Sequence, residues 1–300
     1  MSMRKPVYSV YHSNKISSVH CLGLTKGEKM KIGILGFGHI GQYLYEHLSK
    51  NQDYQIVFVW NRTKEKIICV PQELILDDID AVSEQDVELI IEVAHPDITK
   101  TFGEKFLDNC SYFIGSPTAL ANAETYKRLK TASERSGNPV YVPCGALWGA
   151  EDIARMARAG TLKGLEITMK KHPSSFKLEG DLKHINDEVK EGSKVLYEGS
   201  IRDLCPLAPN NVNTMAAAAI AAGDLGFDAI GRLVSDSSIP DWHIIEVKAI
   251  GPTIEGKQFE VITTRKNPAA RGAVTGTATF GSFLSSVMAA KGKSSGFHVC

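Results

Sequence analysis

The chain lacks a net charge, a long apolar run, a paired-cysteine motif and any internal repeat. Its 300 residues carry 34 Lys plus Arg against 34 Asp plus Glu, so no global field draws it to nucleic acid or to an anionic membrane. Any anionic ligand must be held by local groups. No stretch approaches the roughly 20 apolar residues of a bilayer-crossing helix; the most apolar one, 215–222, is short and alanine-dominated. A membrane partner is therefore not expected. The six cysteines (Cys21, Cys69, Cys110, Cys144, Cys205, Cys300) include no C-x-x-C pair, which argues against a zinc site or a disulfide framework. They read as reduced thiols, and no metal is expected. The first 27 residues contain no acidic residue but do contain Arg4, Lys5, Lys15 and Lys26. That composition is loosely that of a mitochondrial targeting segment, with too little arginine. Residues 1–29 thus read as a disordered extension of a cytoplasmic protein, with a mitochondrial one as the alternative.

What the chain does have is a glycine signature at the end of an apolar strand. Residues 31–41 read K-I-G-I-L-G-F-G-H-I-G and run into a helix over 42–48. This is the pattern of a dinucleotide-binding turn. Gly36 permits the tight turn, Gly38 lets a pyrophosphate approach the backbone, and Gly41 allows the helix to pack close to the strand. The anion then sits against unpaired N–H groups at the helix N-terminus, where His39 and Ile40 also lie.

Downstream, strands and helices alternate. Residues 55–60, 87–93, 111–115 and 139–142 read as buried parallel strands, separated by helices that start at Pro96 and at Asn122. The result is an α/β fold, a doubly wound parallel sheet, over residues 30–147. Past residue 148 the pattern changes to alternating strands at 165–170, 232–234, 243–250 and 259–264 with helices at 151–159 and 215–222, which predicts an α+β domain over 148–271. A helix over 275–289 is long enough to pack back on the first domain, so 272–300 reads as that helix and a tail.

Several loops can carry chemistry. The acidic residue that would bond a ribose 2′-hydroxyl at the end of the second strand is missing; Trp60-Asn61-Arg62-Thr63 stands there instead. A guanidinium at Arg62 suits a 2′-phosphate, so either NAD or NADP is admitted. The loops Ala94-His95-Pro96 and Gly115-Ser116-Pro117 lie at carboxyl ends of parallel strands, where ligands bind. They should border the nicotinamide half of the cofactor. In Pro143-Cys144-Gly145-Ala146 the small residues allow a flat ring to approach, and nothing in the sequence activates Cys144 as a nucleophile. Pro209-Asn210-Asn211-Val212-Asn213-Thr214 precedes the alanine-rich helix. One asparagine there serves as an N-cap, but so many suggest recognition of a carboxamide, which needs donors and an acceptor together.

G-F-G-H-I-G, P-C-G-A-L-W-G-A-E-D, P-N-N-V-N-T-M-A-A-A and D-W-H-I-I-E-V resemble, in order and spacing, the L-aspartate dehydrogenases, from about residue 30 to about 290. The resemblance is closest to the animal branch of that family. It implies a Rossmann domain plus a second α+β catalytic domain. It also implies NAD(P)-dependent oxidation of L-aspartate to iminosuccinate, which hydrolyses to oxaloacetate and ammonia. By the same resemblance Ala146 and Asn213 contact the cofactor and His243 is the active-site histidine. One departure stands out: where many members read N-P-K-T-S, this chain has Asn267-Pro268-Ala269-Ala270-Arg271-Gly272.

The implied chemistry sets further expectations. Histidine changes charge near working pH, and His243 can accept a proton or activate water. Two substrate carboxylates need cations, and Lys170, Lys171 and His172 are candidates, as is the helix N-terminus near Asn213. A homodimer through the second domain's sheet is the expected assembly. The alternatives are a related oxidoreductase, homoserine-dehydrogenase-like or dihydrodipicolinate-reductase-like, and a cofactor-binding protein without catalysis.

Overall fold

The computed structural model describes residues 29–300; the extension expected over 1–29 lies almost wholly outside them. The first strand, β1 (Met30–Leu35), is buried from Ile32 onward. It feeds α1 (His39–Leu48), which begins three residues earlier than the sequence suggests because the glycine turn is tighter than a free loop. Then come β2 (Tyr54–Trp60), β3 (Leu89–Glu92), α2 (Pro96–Leu107), β4 (Ser111–Ile114), α3 (Ala123–Ser136) and β5 (Pro139–Val142). Asn122 caps α3 by accepting from Thr125 N at 2.8 Å, and Gly137 closes it in the left-handed region.

These strands make a parallel sheet, but a sixth strand is one the sequence hides. Residues expected to be a tail form β11 (Gly296–Val299), which lies beside β5, so the order is β11-β5-β4-β3-β1-β2. Residues 296–299, G-F-H-V, are too short and too polar to stand out as a strand; pairing with an existing sheet edge supplies what local propensity does not. The strand order reverses direction between β3 and β1. That switch point is where open α/β sheets bind ligands.

The second half contains α4 (Ala150–Arg158), β6 (Gly164–Lys171), α5 (Gly180–Asp187), β7 (Ser193–Ser200), α6 (Ile201–Leu207), α7 (Asn213–Ala221), β8 (Ile230–Asp236), β9 (Trp242–Ile254), β10 (Lys257–Pro268) and α8 (Ala278–Ala289). Its mixed sheet has the order β10-β9-β6-β8-β7, in which only β6 and β8 run parallel. Along β9 alternate residues are buried, among them His243, Ile245, Val247 and Ala249. That period of two fixes the register, since a slip of one residue would turn every one of them to solvent. The alanines of α7 explain its place. A helix apolar on every side belongs in a core, and Met215 to Ala219 are each at most 1% exposed. Its small side chains let it lie deep in the molecule, with its N-terminus beside the switch point. α8 packs back on α1, and Phe283 of α8 joins the core of the first sheet.

Candidate active site

The glycine turn is held from two sides. Gly36 N donates to Trp60 O at 2.8 Å, and Phe37 N donates to Asn61 Oδ1 at 3.0 Å, while Asn61 Nδ2 donates to Thr63 O at 2.7 Å. Gly36 has a φ of 106°, and a Cβ there would stand 2.7 Å from Val93 O. A Cβ at Gly41 would stand 2.0 Å from Gly36 O. Only glycine fits either place. Gly38 differs: a Cβ there meets nothing within 4 Å, and α1 has no side-chain cap hydrogen bond at that position. Open space in front of an uncapped helix N-terminus is what a pyrophosphate requires.

That open space belongs to a cavity of about 430 Å³ between the two halves. From the first half come Gly38, His39, Ile40, Ala94, Ser116 and Ala146. From the second come Lys171, Lys177, Asn213, His243 and Asn267, and Thr275 follows on the segment leading to α8. No Asp or Glu is among the lining residues, so the cavity is open to anions.

Sheet register builds its far wall. Asn267 on β10 pairs with His243 on β9. The β9–β6 register ends at Lys170↔Ile244, so Lys171 follows on the same buried face as His243. Three neighbouring strands thus deliver asparagine, histidine and lysine side by side, exposed by 2%, 4% and 3% respectively. Lys171 Nζ donates to Val274 O at 3.0 Å and makes no ion pair with a described residue. Burial lowers its pKa to about 8. His243 is lowered to about 4 by burial first and then by the Lys171 charge, so it is neutral at pH 7. Its Nε2 is buried without a partner, and so is Asn213 Oδ1. Buried polar atoms are rarely left unpaired, and two such atoms lining one cavity point to a ligand with complementary groups.

The asparagine-rich segment divides its work. Asn211 is 3% exposed and holds the backbone at Lys177 from both sides, accepting from Lys177 N at 3.2 Å and donating to Lys177 O at 2.7 Å. It replaces a missing strand partner and fixes where Lys177 leaves the chain. Asn213, the first residue of α7, keeps its oxygen for the cavity. Arg265 donates to Gly145 O at 3.3 Å and so braces the loop that carries Ala146.

Some expected residues fall elsewhere. His172 does not line the cavity; its Nδ1 accepts from Ser174 N at 3.2 Å and caps a short 3₁₀ turn. Alternation explains this, because Lys171 faces the cavity and its neighbour must face away. Lys170, on that opposite face, pairs with Glu246 at 2.8 Å. His95 is also a cap, for α2, and sits beside Asp97 outside the cavity. Asn61 is spent on the glycine turn, and Arg62 is exposed at the end of β2, away from the cavity wall. Burial raises the Cys144 thiol, so it is not a thiolate nucleophile. Of the segment that departs from N-P-K-T-S, Ala269 is buried away from the cavity and Ala270 to Gly272 are exposed, whereas Val274, Thr275 and Gly276 line it. Sequence reasoning missed Lys177 and Arg265, and it met Asn267 only as the start of the departing segment, with no role of its own. No local pattern marks them, since each acquires its place through a partner distant in the chain.

A glycine turn at a switch point, an uncapped helix N-terminus and a facing wall of buried polar groups define a two-domain nicotinamide-dependent oxidoreductase. Comparison with known proteins gives the family. Residues 152–286 match the model of the aspartate dehydrogenase C-terminal domain, and residues 36–143 that of the homoserine dehydrogenase NAD binding domain. Aspartate dehydrogenase domain-containing proteins of Xenopus tropicalis and Danio rerio are 52% and 47% identical to it, over 92% and 90% of this chain and 100% and 98% of theirs. The L-aspartate dehydrogenase of Archaeoglobus fulgidus is 25% identical over 73% of this chain and 82% of its own. The solved aspartate dehydrogenase of Thermotoga maritima superimposes with a TM-score of 0.65 at 22% identity, covering 89% of this chain and 98% of that one, and so shares the fold. The chain belongs to the aspartate dehydrogenase family, with an NAD-binding domain joined to an amino-acid dehydrogenase catalytic domain.

Proposed function

We propose that the protein is an NAD(P)-dependent L-aspartate dehydrogenase, interconverting L-aspartate with oxaloacetate and ammonia through iminosuccinate. The observation that carries this reading is the row Lys171, His243 and Asn267, buried on one face opposite the glycine turn in a cavity without acidic groups. A bound nicotinamide would supply the hydride-transfer chemistry. Gly36, Gly38 and Gly41 with the N-terminus of α1 would hold its pyrophosphate, and Ala146 and the unpartnered Asn213 Oδ1 would receive its nicotinamide end. Arg62 stands ready for a 2′-phosphate, so either NAD or NADP fits.

The chain's own residues manage substrate and protons. Two carboxylates call for two cations, and Lys171, which is buried, and Lys177, which is exposed, both line the cavity without a carboxylate partner among the described residues. Neutral His243 presents an unpaired Nε2 lone pair. It takes a proton from the substrate ammonium, so that the amine is neutral when its carbon gives up hydride, and passes that proton to solvent; neutral again, it takes one from the water that adds to the imine and returns it to the departing amine. Asn267 Nδ2 donates to His243 O at 3.4 Å and steadies that strand. Assembly as a homodimer and residence in the cytoplasm are part of the same reading. Among the described residues no helix is long and apolar enough to cross a membrane.

The test is to titrate the purified protein separately with NADH and NADPH, then add oxaloacetate with ammonium and follow cofactor oxidation. Turnover that drops by about 10²-fold or more in His243→Ala, with cofactor affinity unchanged, is the expected result. Tight cofactor binding with no turnover of any amino or imino acid would overturn it.

A further inference from the structure

Glu92 ends β3, inside a parallel sheet, where an apolar residue is the rule; it is 0% exposed. Its carboxylate makes no ion pair with any described residue. Instead four donors converge on it. Oε1 accepts from Ala94 N at 2.7 Å, His95 N at 2.9 Å and Ser116 Oγ at 3.0 Å, and Oε2 accepts from Ser116 N at 3.0 Å. Ala94 and Ser116 belong to the loops that leave β3 and β4, and both line the cavity. The carboxylate therefore ties the two loops together and stands one peptide unit behind the wall they form.

We propose that Glu92 is a positioning residue whose brace and whose negative charge together bias this wall toward the oxidised, positively charged nicotinamide ring. This rests on the reading that the cofactor's ring lies between these loops and His243. Three backbone N–H groups aimed at the carboxylate suit its ionised form. Burial opposes ionisation and raises its pKa to about 7, so the charge is costly to keep there, and nothing in the packing of the sheet asks for it. Across the cavity stand Lys171 and Lys177, which on their own repel a pyridinium ring. Glu92 supplies an opposing charge from the side of the ring, through a medium that screens less than water. When the ring is reduced its charge disappears, and with it this attraction.

Equilibrium binding of both forms of one nicotinamide cofactor tests the idea without turnover. In Glu92→Gln, which keeps the shape and removes the charge, we expect the ratio of Kd for the oxidised form to Kd for the reduced form to rise about tenfold. Ser116→Ala removes one strand of the brace and also one of the contacts that favour the ionised carboxyl, so it is measured well above pH 7, where the charge is kept; both forms should then weaken with their ratio unchanged. Equal weakening of both forms in Glu92→Gln would make the residue a brace alone and overturn the proposal. A wild-type protein that bound neither form would instead sink the cofactor reading, and this inference with it.

Discussion

The two walls of the cleft are built in opposite ways. The first-domain wall is local: eleven consecutive residues, 31–41, make strand, turn and helix start, and what it offers a ligand is backbone N–H groups. The second-domain wall is assembled from β6, the Lys177 loop, α7, β9 and β10, and what it offers a ligand is side chains. A backbone wall is tolerant of what surrounds it and intolerant of a single Cβ. A side-chain wall depends on register, and each group is tuned by its neighbours.

That contrast can be broken most sharply at Gly41. Gly41→Ala places a Cβ 2.0 Å from Gly36 O, and neither backbone can yield. Cofactor affinity should collapse by more than about 10²-fold and the melting temperature should fall by several degrees, at about 2–4 °C per kcal/mol. Calorimetry and cofactor titration check both. Retained binding would mean that the turn is not the cofactor's cradle.

A smaller effect follows from pH on the other wall. Lys171, lowered to about 8 by burial, loses its charge as pH rises from 7 to 9. A dicarboxylate such as succinate, titrated into the protein with cofactor bound, should weaken by about tenfold over that range. The same titration with Lys171→Met should be weak and flat. The sign for stability differs between buried groups. His243, depressed to about 4, gives stability that is present above about pH 6.5 and lost as pH falls toward 4. Glu92, raised to about 7, gives stability that is present below about 4.5 and lost as pH rises through 7. The two nearly offset between these limits.

The smallest expected effect sharpens the comparison within the local wall itself. Gly38 has a φ of −76°, which any residue adopts, and open space where a Cβ would stand. Gly38→Ala should leave the melting temperature within about a degree while lowering cofactor affinity by about tenfold, since its methyl fills the place of the pyrophosphate. Unchanged affinity would show that the anion lies elsewhere.

Much of the first domain was legible because its signals are short-range. Glycine spacing, β-branched runs and Pro96 mark elements where the backbone itself dictates the outcome. β11 was not legible, because G-F-H-V becomes a strand only beside β5. His95 and His172 looked like site residues and are caps, since an imidazole next to a helix start serves the nearest N–H first. Lys177 gave no signal at all; Asn211, thirty-four residues away, sets its place.

The sequence by itself determined that a strand would turn on glycines into a helix and that an anion could rest there, because backbone sterics act within a few residues. Only the tertiary structure decided that Lys171, His243 and Asn267 stand side by side, that His243 stays neutral, and that Glu92 sits buried behind the wall. Those properties come from register and desolvation, which arise when distant segments exclude water from one another.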